Sequence, residues 1–392
     1  MNKKDQHKKF GLDVSLIMAS HSVTDGGCIY IEKQTKFLFG EVNLFVLSSA
    51  HVVLGFATRF FLGRVLTKIR RLGLLIFFFK AFRNVLVFCH ARRFLADFRY
   101  CDTQTIVCVS EDIISLAVAS YIKKIKPNIT IHFSMLDLPW SYNAKNSYKQ
   151  RLRRDFIQLF TENVDTADFT TKEMASIFHE KGFVGPSLVT YSAIDVIDYD
   201  SSRSKEVEPI INEAMVEKSN FVYLGNLRAT KELSQFCNAL KFFKESGAQD
   251  YELDLYGSSN FVHSNVNYFG FISPKDLNNI LQDYSFGLVP MSFDEDNSEL
   301  VLTSFPSKTW AYLTNGITPI IMAPASSGVA KLANEYSIGV VISDIGDIST
   351  TLEGLKWEEE YKKAMANYKN FQVSLSQNFK LFREELSREN NG

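Results

Sequence analysis

The sequence predicts an α/β protein built from two doubly wound, parallel-sheet domains. Three observations carry that expectation. At 392 residues the chain is too long for one ordinary core and comfortable for two. Hydrophobic residues make up 46% of it, enough apolar material to fill both. In each half, short apolar runs alternate with helical patterns, the rhythm of strands joined by crossover helices.

Val14–Ala19 reads as the first strand, followed by the turn-forming stretch His21–Gly27 and a helical pattern through Lys36. Leu44–Leu47, Thr105–Val109 and Ile129–Phe133 read as further buried strands. A second set begins near Asn220, with strands expected at Phe221–Leu224, Glu252–Tyr256, Val266–Phe269, Phe286–Val289 and Thr318–Met322. The polar stretch Asp195–Lys218, interrupted by Pro209, has the composition of a linker. The expected division is therefore a first domain over 1–200, a linker over 201–218, a second domain over 219–355 and a terminal helix over 356–392. In that helix Tyr361, Ala364, Tyr368, Phe371 and Leu375 recur at helical spacing, giving an apolar face that packs back on the body.

Composition narrows the function. A formal net charge of -1 provides no global field for nucleic acid. Cys28, Cys89, Cys101, Cys108 and Cys237 are scattered without a C-x-x-C pair, as in a reducing compartment. His21, His51, His90 and His132 lack metal-ligand spacing. The N-terminus has no apolar core of a signal peptide. The best apolar run, Leu72–Phe79, stops at Lys80, well short of the roughly 18 residues a membrane span needs. A cytoplasmic chain is expected. From Val42 to Ala96, however, there is no Asp or Glu, and Arg64, Lys68 and Arg71 line one face of an expected helix rich in Phe and Leu. That pattern suits the headgroup region of an anionic bilayer. An ordinary core helix with a solvated basic face fits it too.

The segment Thr303–Pro319 carries the sharpest chemical signal. Pro306 suits the first turn of a helix, and Gly316 suits the position just beyond its end near Asn315. The helix start then offers backbone N–H groups, the Ser307 hydroxyl and the Lys308 ammonium together, donors and charge that fit a diphosphate. A plain helix cap has the same sequence. No G-x-G-x-x-G follows the first strand, which argues against a nicotinamide dehydrogenase.

Pro306-Ser307-Lys308, Tyr312-Leu313, Gly316 and Pro319-Ile320-Ile321 together resemble the donor-binding segment of GT-B glycosyltransferases of the family-4 type and their capsule and O-antigen relatives. Phe221–Lys231 resembles the strand and loop that open the donor domain, and Leu253–Gly257 the next strand with its glycine turn. Val266–Ile272 resembles the strand lying near the base, and Tyr284–Pro290 the strand before the donor-sugar loop. In the first half, Gly26 and Gly27 resemble the glycine loop after the first strand, and Phe133–Pro139 the loop that places a polar group near the reacting carbon.

The resemblance implies the GT-B fold, two Rossmann-like domains facing a central cleft, and metal-independent transfer from a nucleotide-diphosphate sugar. UDP-sugar or GDP-sugar is the expected donor, as substrate and not as cofactor. A glycan or polyprenyl-linked acceptor is expected in the first domain, in synthesis of bacterial cell-surface polysaccharide at the inner face of the membrane. The implied donor-binding residues are Gly26, Gly27, Asn226, Arg228, Lys231, Gly257, Ile272, Asp294, Ser307 and Lys308. Asp137 is the candidate general base if the reaction inverts, with Glu111 behind it; Asp137 equally suits a cap of the following turn. The chain departs from the family pattern at three places. Thr303 and Ala311 stand where two glutamates are usual, and Asn226 stands where an arginine is usual. Ribose recognition is therefore expected to differ, with Glu299 and the acidic loop from Asp294 as substitutes. A nucleotide-sugar epimerase of the same fold and a non-catalytic partner subunit remain as alternatives.

Overall fold

The computed structural model describes residues 14–19, 35, 38, 42–47, 84, 87–96, 104–109, 113–138, 147–193, 221–225, 227, 229–246, 251–257, 261–295 and 298–389. The expected linker 201–218, the basic face at Arg64, Lys68 and Arg71, and the candidates Gly26, Gly27, Glu111, Asn226 and Arg228 lie outside them.

The first sheet contains β1 (Val14–Ala19), β2 (Val42–Leu47), β3 (Thr105–Val109), β4 (Thr130–Met135), β5 (Thr166–Phe169) and β6 (Ser187–Val189). Its order is β2-β1-β3-β4-β5-β6, and every neighbouring pair is parallel. Helices α1 (Ile113–Ile125), α2 (Ser147–Asn163) and α3 (Lys172–Glu180) provide the crossovers. A phenylalanine cluster fills the core beneath: Phe160 packs against Phe133 at 5.3 Å and Phe178 at 4.6 Å between ring centroids.

The second sheet contains β7 (Phe221–Leu224), β8 (Leu253–Tyr256), β9 (Val266–Gly270), β10 (Phe286–Pro290), β11 (Thr318–Met322) and β12 (Val340–Ile342). It is also parallel throughout, in the order β12-β11-β10-β7-β8-β9. The chain works outward from β7 to β9, returns to the middle at β10, and works outward again to β12. The direction reverses between β7 and β10, and in open α/β sheets ligands bind at the carboxyl ends beside such a reversal. Helices α4 (Thr230–Glu245), α5 (Pro274–Leu281), α6 (Ser298–Thr303), α7 (Lys308–Thr314), α8 (Gly328–Tyr336) and α9 (Ile348–Gly354) surround the sheet.

At the reversal the two central strands pair only through Phe286 with Phe221 and Gly287 with Val222. One side chain from α7 occupies the gap beyond. The buried Tyr312 hydroxyl accepts from the Leu224 N–H at 3.0 Å and lies 3.2 Å from the Val222 carbonyl and 3.4 Å from that of Leu288. Burial holds this phenol well above the usual tyrosine range, so it keeps the proton it donates. Gly287 makes room: a Cβ there would stand 2.5–2.6 Å from the Tyr312 ring.

The expected strands at Val14–Ala19, Thr105–Val109, Phe221–Leu224 and Thr318–Met322 are observed with those bounds; the others shift by one or two residues, at both ends for Ile129–Phe133 and at one end for the rest. The helix expected over 306–315 is shorter. Pro306 precedes it, Ser307 is the N-cap without a side-chain capping bond, and α7 runs from Lys308 to Thr314. The trace enters through a tight turn in which Thr309 N–H bonds the Pro306 carbonyl. Gly316 does take the positive φ, +73°, expected beyond the helix end. Among the described residues no helix is long and apolar enough to cross a membrane.

The terminal helix α10 (Trp357–Glu389) lies along both domains. It packs on β11 of the second sheet and β6 of the first. Ala364, Tyr368, Phe371, Leu375, Phe379 and Phe382 form its buried face, and Phe382 reaches His132 of β4 at 6.2 Å.

Tyr312→Phe keeps the ring and removes the hydroxyl, leaving the buried Leu224 N–H unsatisfied. We expect a loss of about 1–3 kcal/mol in unfolding free energy, measured by urea titration. Gly287→Ala should cost a similar amount by overpacking.

Candidate functional site

The carboxyl ends of β7, β8 and β10 lie on the side of the sheet where α7 starts. β7 is followed by Gly225 at φ +105°, a backbone conformation that suits glycine. Its N–H bonds the Tyr256 carbonyl at 2.8 Å, so it continues the ladder to β8. β8 is followed by Gly257, whose N–H bonds the Gly270 carbonyl at 2.9 Å. A side chain on Gly257 would collide with the Gly225 carbonyl oxygen. The two strand-end glycines thus approach closely and leave a low floor.

Lys308 reaches over that floor. Its ammonium lies 3.9 Å from the centroid of the Tyr223 ring, a cation–π contact. It also lies 3.9 Å from where a Cβ on Gly225 would stand, so nothing larger than glycine separates it from the β7 turn. Ser307 is exposed beside it. The sequence reading therefore placed Gly257, Ser307 and Lys308 in one site, and the structure brings them together around Gly225.

The loop after β10 faces the start of α4 across the same crevice. Lys231 and Asp294, both exposed, approach to 3.5 Å. Glu232, buried at 2% exposure, accepts a hydrogen bond from the Phe293 N–H at 3.0 Å and so ties the loop to the helix. Sequence reasoning missed Glu232, because a carboxylate in the first helical turn ordinarily reads as a dipole complement. Ile272 follows β9 and packs partly buried against the core. Nearby, Phe269 stacks on Tyr256 at 5.0 Å with planes 16° apart. Behind Tyr256, the Tyr284 hydroxyl donates to Asp254 at 2.6 Å; burial, then that bond, hold the Tyr284 phenol well above its usual range.

In the first sheet the order reverses between β1 and β3, which are neighbours although β2 separates them in sequence. Gly26 and Gly27 follow β1, and Glu111 follows β3. The described wall of this side is the end of β4. There Asp137 accepts a hydrogen bond from Ser304 of the second domain at 3.3 Å. The acceptor-side candidate thus lies against the segment that carries Ser307 and Lys308.

Further links join the domains along this seam. Arg153 of α2 pairs with Glu299 of α6 at 2.8 Å, which engages one of the acidic residues considered for the ribose. Lys172 pairs with Glu335 and Glu173 with Lys331, each at 2.8 Å, between α3 and α8. The Thr171 hydroxyl donates to the Thr303 carbonyl at 3.2 Å. Gly328 abuts the Thr171 methyl so closely that a Cβ would stand 2.7 Å from it. Thr303, at a family glutamate position, turns its hydroxyl back to the Glu299 carbonyl at 2.8 Å.

Known proteins share this architecture. Residues 222–383 match the family model described as Glucosyltransferase 3-like, C-terminal domain. α,α-Trehalose 6-phosphate synthase from Burkholderia multivorans superposes with a TM-score of 0.60 at 10% identity, covering 97% of this chain and 99% of that one. The fold is GT-B. A trehalose-6-phosphate protein from E. coli bound with UDP-2-fluoro glucose gives 0.59 at 13% identity, over 95% of this chain and 98% of that one. HepE from Anabaena, in complex with UDP and glucose, gives 0.57 at 12% identity, over 96% and 99%. No curated protein matches the chain in sequence. In this GT-B chain the family match spans the crevice formed by Gly225, Gly257 and Lys308.

Gly257→Ala should displace the Gly225 carbonyl and cost about 1–3 kcal/mol in a thermal melt. Gly354→Ala, in α9 with open space around it, serves as the control and should be neutral or slightly stabilising.

Proposed function

We propose that this chain is a metal-independent glycosyltransferase that moves a sugar from a UDP-sugar or GDP-sugar to a glycan or polyprenyl-linked acceptor. The observation that carries the reading is the Lys308 ammonium above the Gly225 turn, at the carboxyl-end reversal of the second sheet and inside the family match. A diphosphate there meets a cation and a glycine floor that allows close backbone approach. Neighbours of the same fold bound with UDP-2-fluoro glucose or with UDP and glucose favour UDP as the carrier.

In this reading the donor's diphosphate rests between the β7 turn and α7, with Ser307, Lys308, Lys231 and the neighbouring Asn226 and Arg228 as its ligands. Asp294 addresses the donor sugar, Gly257 and Ile272 line the nucleoside side, and Gly26 and Gly27 are the first domain's donor-binding residues. The bond from the anomeric carbon to the phosphate oxygen breaks, and a bond to the acceptor hydroxyl oxygen forms. Lys308 and its neighbours stabilise the departing nucleoside diphosphate, the larger share of catalysis where developing charge is concentrated. On an inverting path Asp137, assisted by Glu111, takes the acceptor's proton; a retaining path passes that proton to the leaving phosphate. The basic face at Arg64, Lys68 and Arg71 holds the protein at the inner surface of the membrane, where a lipid-linked acceptor of cell-surface polysaccharide synthesis is found.

Calorimetric titration with UDP, GDP, ADP, dTDP and CDP tests the donor site. One of them should bind the native chain, and Lys308→Ala should weaken that binding roughly 10- to 100-fold, the effect of losing one charge-assisted contact. Failure of every nucleotide to bind would overturn the reading. Activity with the matching nucleotide-sugar should persist in EDTA. Anionic liposomes should float the native chain and release the variant with Ser at positions 64, 68 and 71.

A further inference from the structure

The first domain ends in an unusual turn. The Ala193 N–H bonds the Thr190 carbonyl at 3.0 Å. Both central residues have positive φ, Tyr191 at +50° and Ser192 at +52°. Positive φ at both centres defines a type I′ turn, which ordinarily selects Asn-Gly. Here it carries Tyr-Ser, with a bulky, buried side chain where a Cβ is disfavoured. Left-handed residues of this kind are strained and persist only when their surroundings over-determine them. The turn immediately precedes the stretch of chain that leads to β7 and the second domain.

Thr190 is tied to Phe169 of its own domain, and Tyr191 is held from the other domain and the terminal helix. The Trp310 indole N–H donates to the Tyr191 carbonyl at 2.6 Å. Its ring stacks on Phe305 at 4.9 Å and on Phe371 of the terminal helix at 5.3 Å, with planes 15° and 9° apart. The Tyr191 ring meets Phe305 at 5.9 Å and Phe371 at 6.1 Å, edge to face. Trp310 lies two residues beyond Lys308 on α7, the helix anchored by Tyr312. A strained connection is thus clamped by a side chain rigidly tied to the proposed donor site.

We propose that Trp310 is a positioning residue that holds the two domains at their working angle through a hinge at Tyr191–Ser192. With the indole bond made, the turn stays left-handed and Ser304 meets Asp137. Without it, the turn relaxes out of the left-handed region and the first domain swings away from the second. The consequence for sugar transfer rests on the donor reading above; the hinge itself does not.

The test is small-angle X-ray scattering of the full chain, with and without UDP, on four forms: native, Trp310→Phe, Ser192→Gly and the double variant. Trp310→Phe keeps an aromatic ring in the stack and removes the N–H. Its radius of gyration should exceed the native value without nucleotide, while UDP affinity stays within about threefold because Ser307 and Lys308 are untouched. Turnover of the sugar donor should fall in kcat with little change in KM. Ser192→Gly removes the steric cost of positive φ, so alone it should melt no lower than native. Added to Trp310→Phe, it should restore native scattering and turnover. Rescue by a backbone change separates a hinge from plain loss of packing. Native scattering from Trp310→Phe, or a double variant as open as the single one, would overturn the proposal. If UDP fails to bind the native chain while the scattering series behaves as described, the donor reading falls and the hinge stands.

Discussion

The second domain depends on a phenol hydroxyl placed where two parallel strands part. β7 and β10 share two residue pairs and then separate, which opens a gap and strips Leu224 of a strand partner for its N–H. A buried amide left without a partner costs about as much as a lost hydrogen bond. Tyr312 supplies the partner and faces a carbonyl of each strand as acceptor. The strand separation is therefore stable, and α7 has one allowed position. Gly287 is part of the same constraint, because the Tyr312 ring occupies the volume a side chain would take. Everything carried by α7, from Lys308 above Tyr223 to Trp310 against Tyr191, inherits its place from this anchor.

That inheritance concentrates unlike tasks in eight residues. Thr303 and Ser304 bond to Thr171 and Asp137 of the first domain. Ser307 and Lys308 face the crevice, and Phe305 and Trp310 clamp the turn at the end of β6. The seam adds half-exposed ion pairs at Arg153–Glu299, Lys331–Glu173 and Lys172–Glu335. Such surface pairs are individually worth little, so orientation rests mainly on the buried Trp310 indole bond to Tyr191, the stack around it and the close approach at Gly328. Domain closure commonly gates transfer reactions, and in this chain the segment proposed to hold the donor also joins the two domains.

Much of the fold was legible because burial leaves a repetitive imprint on sequence. Phe221–Leu224 and Thr318–Met322 are central strands covered on both faces, and they read as continuous apolar runs. β5 was missed because its buried residues include Thr166 and Asp168, which bond to His132 at 2.9 and 2.8 Å. A polar pair satisfied across strands has no signature in one strand alone. β6 and β12, at three residues each, are too short to show a period. In the candidate site, Ser307, Lys308 and Gly257 were readable as chemistry-bearing residues near predicted element ends. The roles of Glu232, Trp310 and Tyr312 were not, because each acts through a backbone partner 61 to 119 positions away. Tyr191–Ser192 was invisible for a related reason: its backbone conformation is imposed by Trp310 and contradicts the local preference.

The most direct measurement is a crystal structure of the chain grown with UDP. The account places the diphosphate at the carboxyl end of β7, with the Lys308 ammonium and the Gly225 turn against it and the nucleoside extending toward Gly257 and Ile272. Nucleotide density in the first domain, or on the second domain away from the β7–β10 reversal, would contradict it.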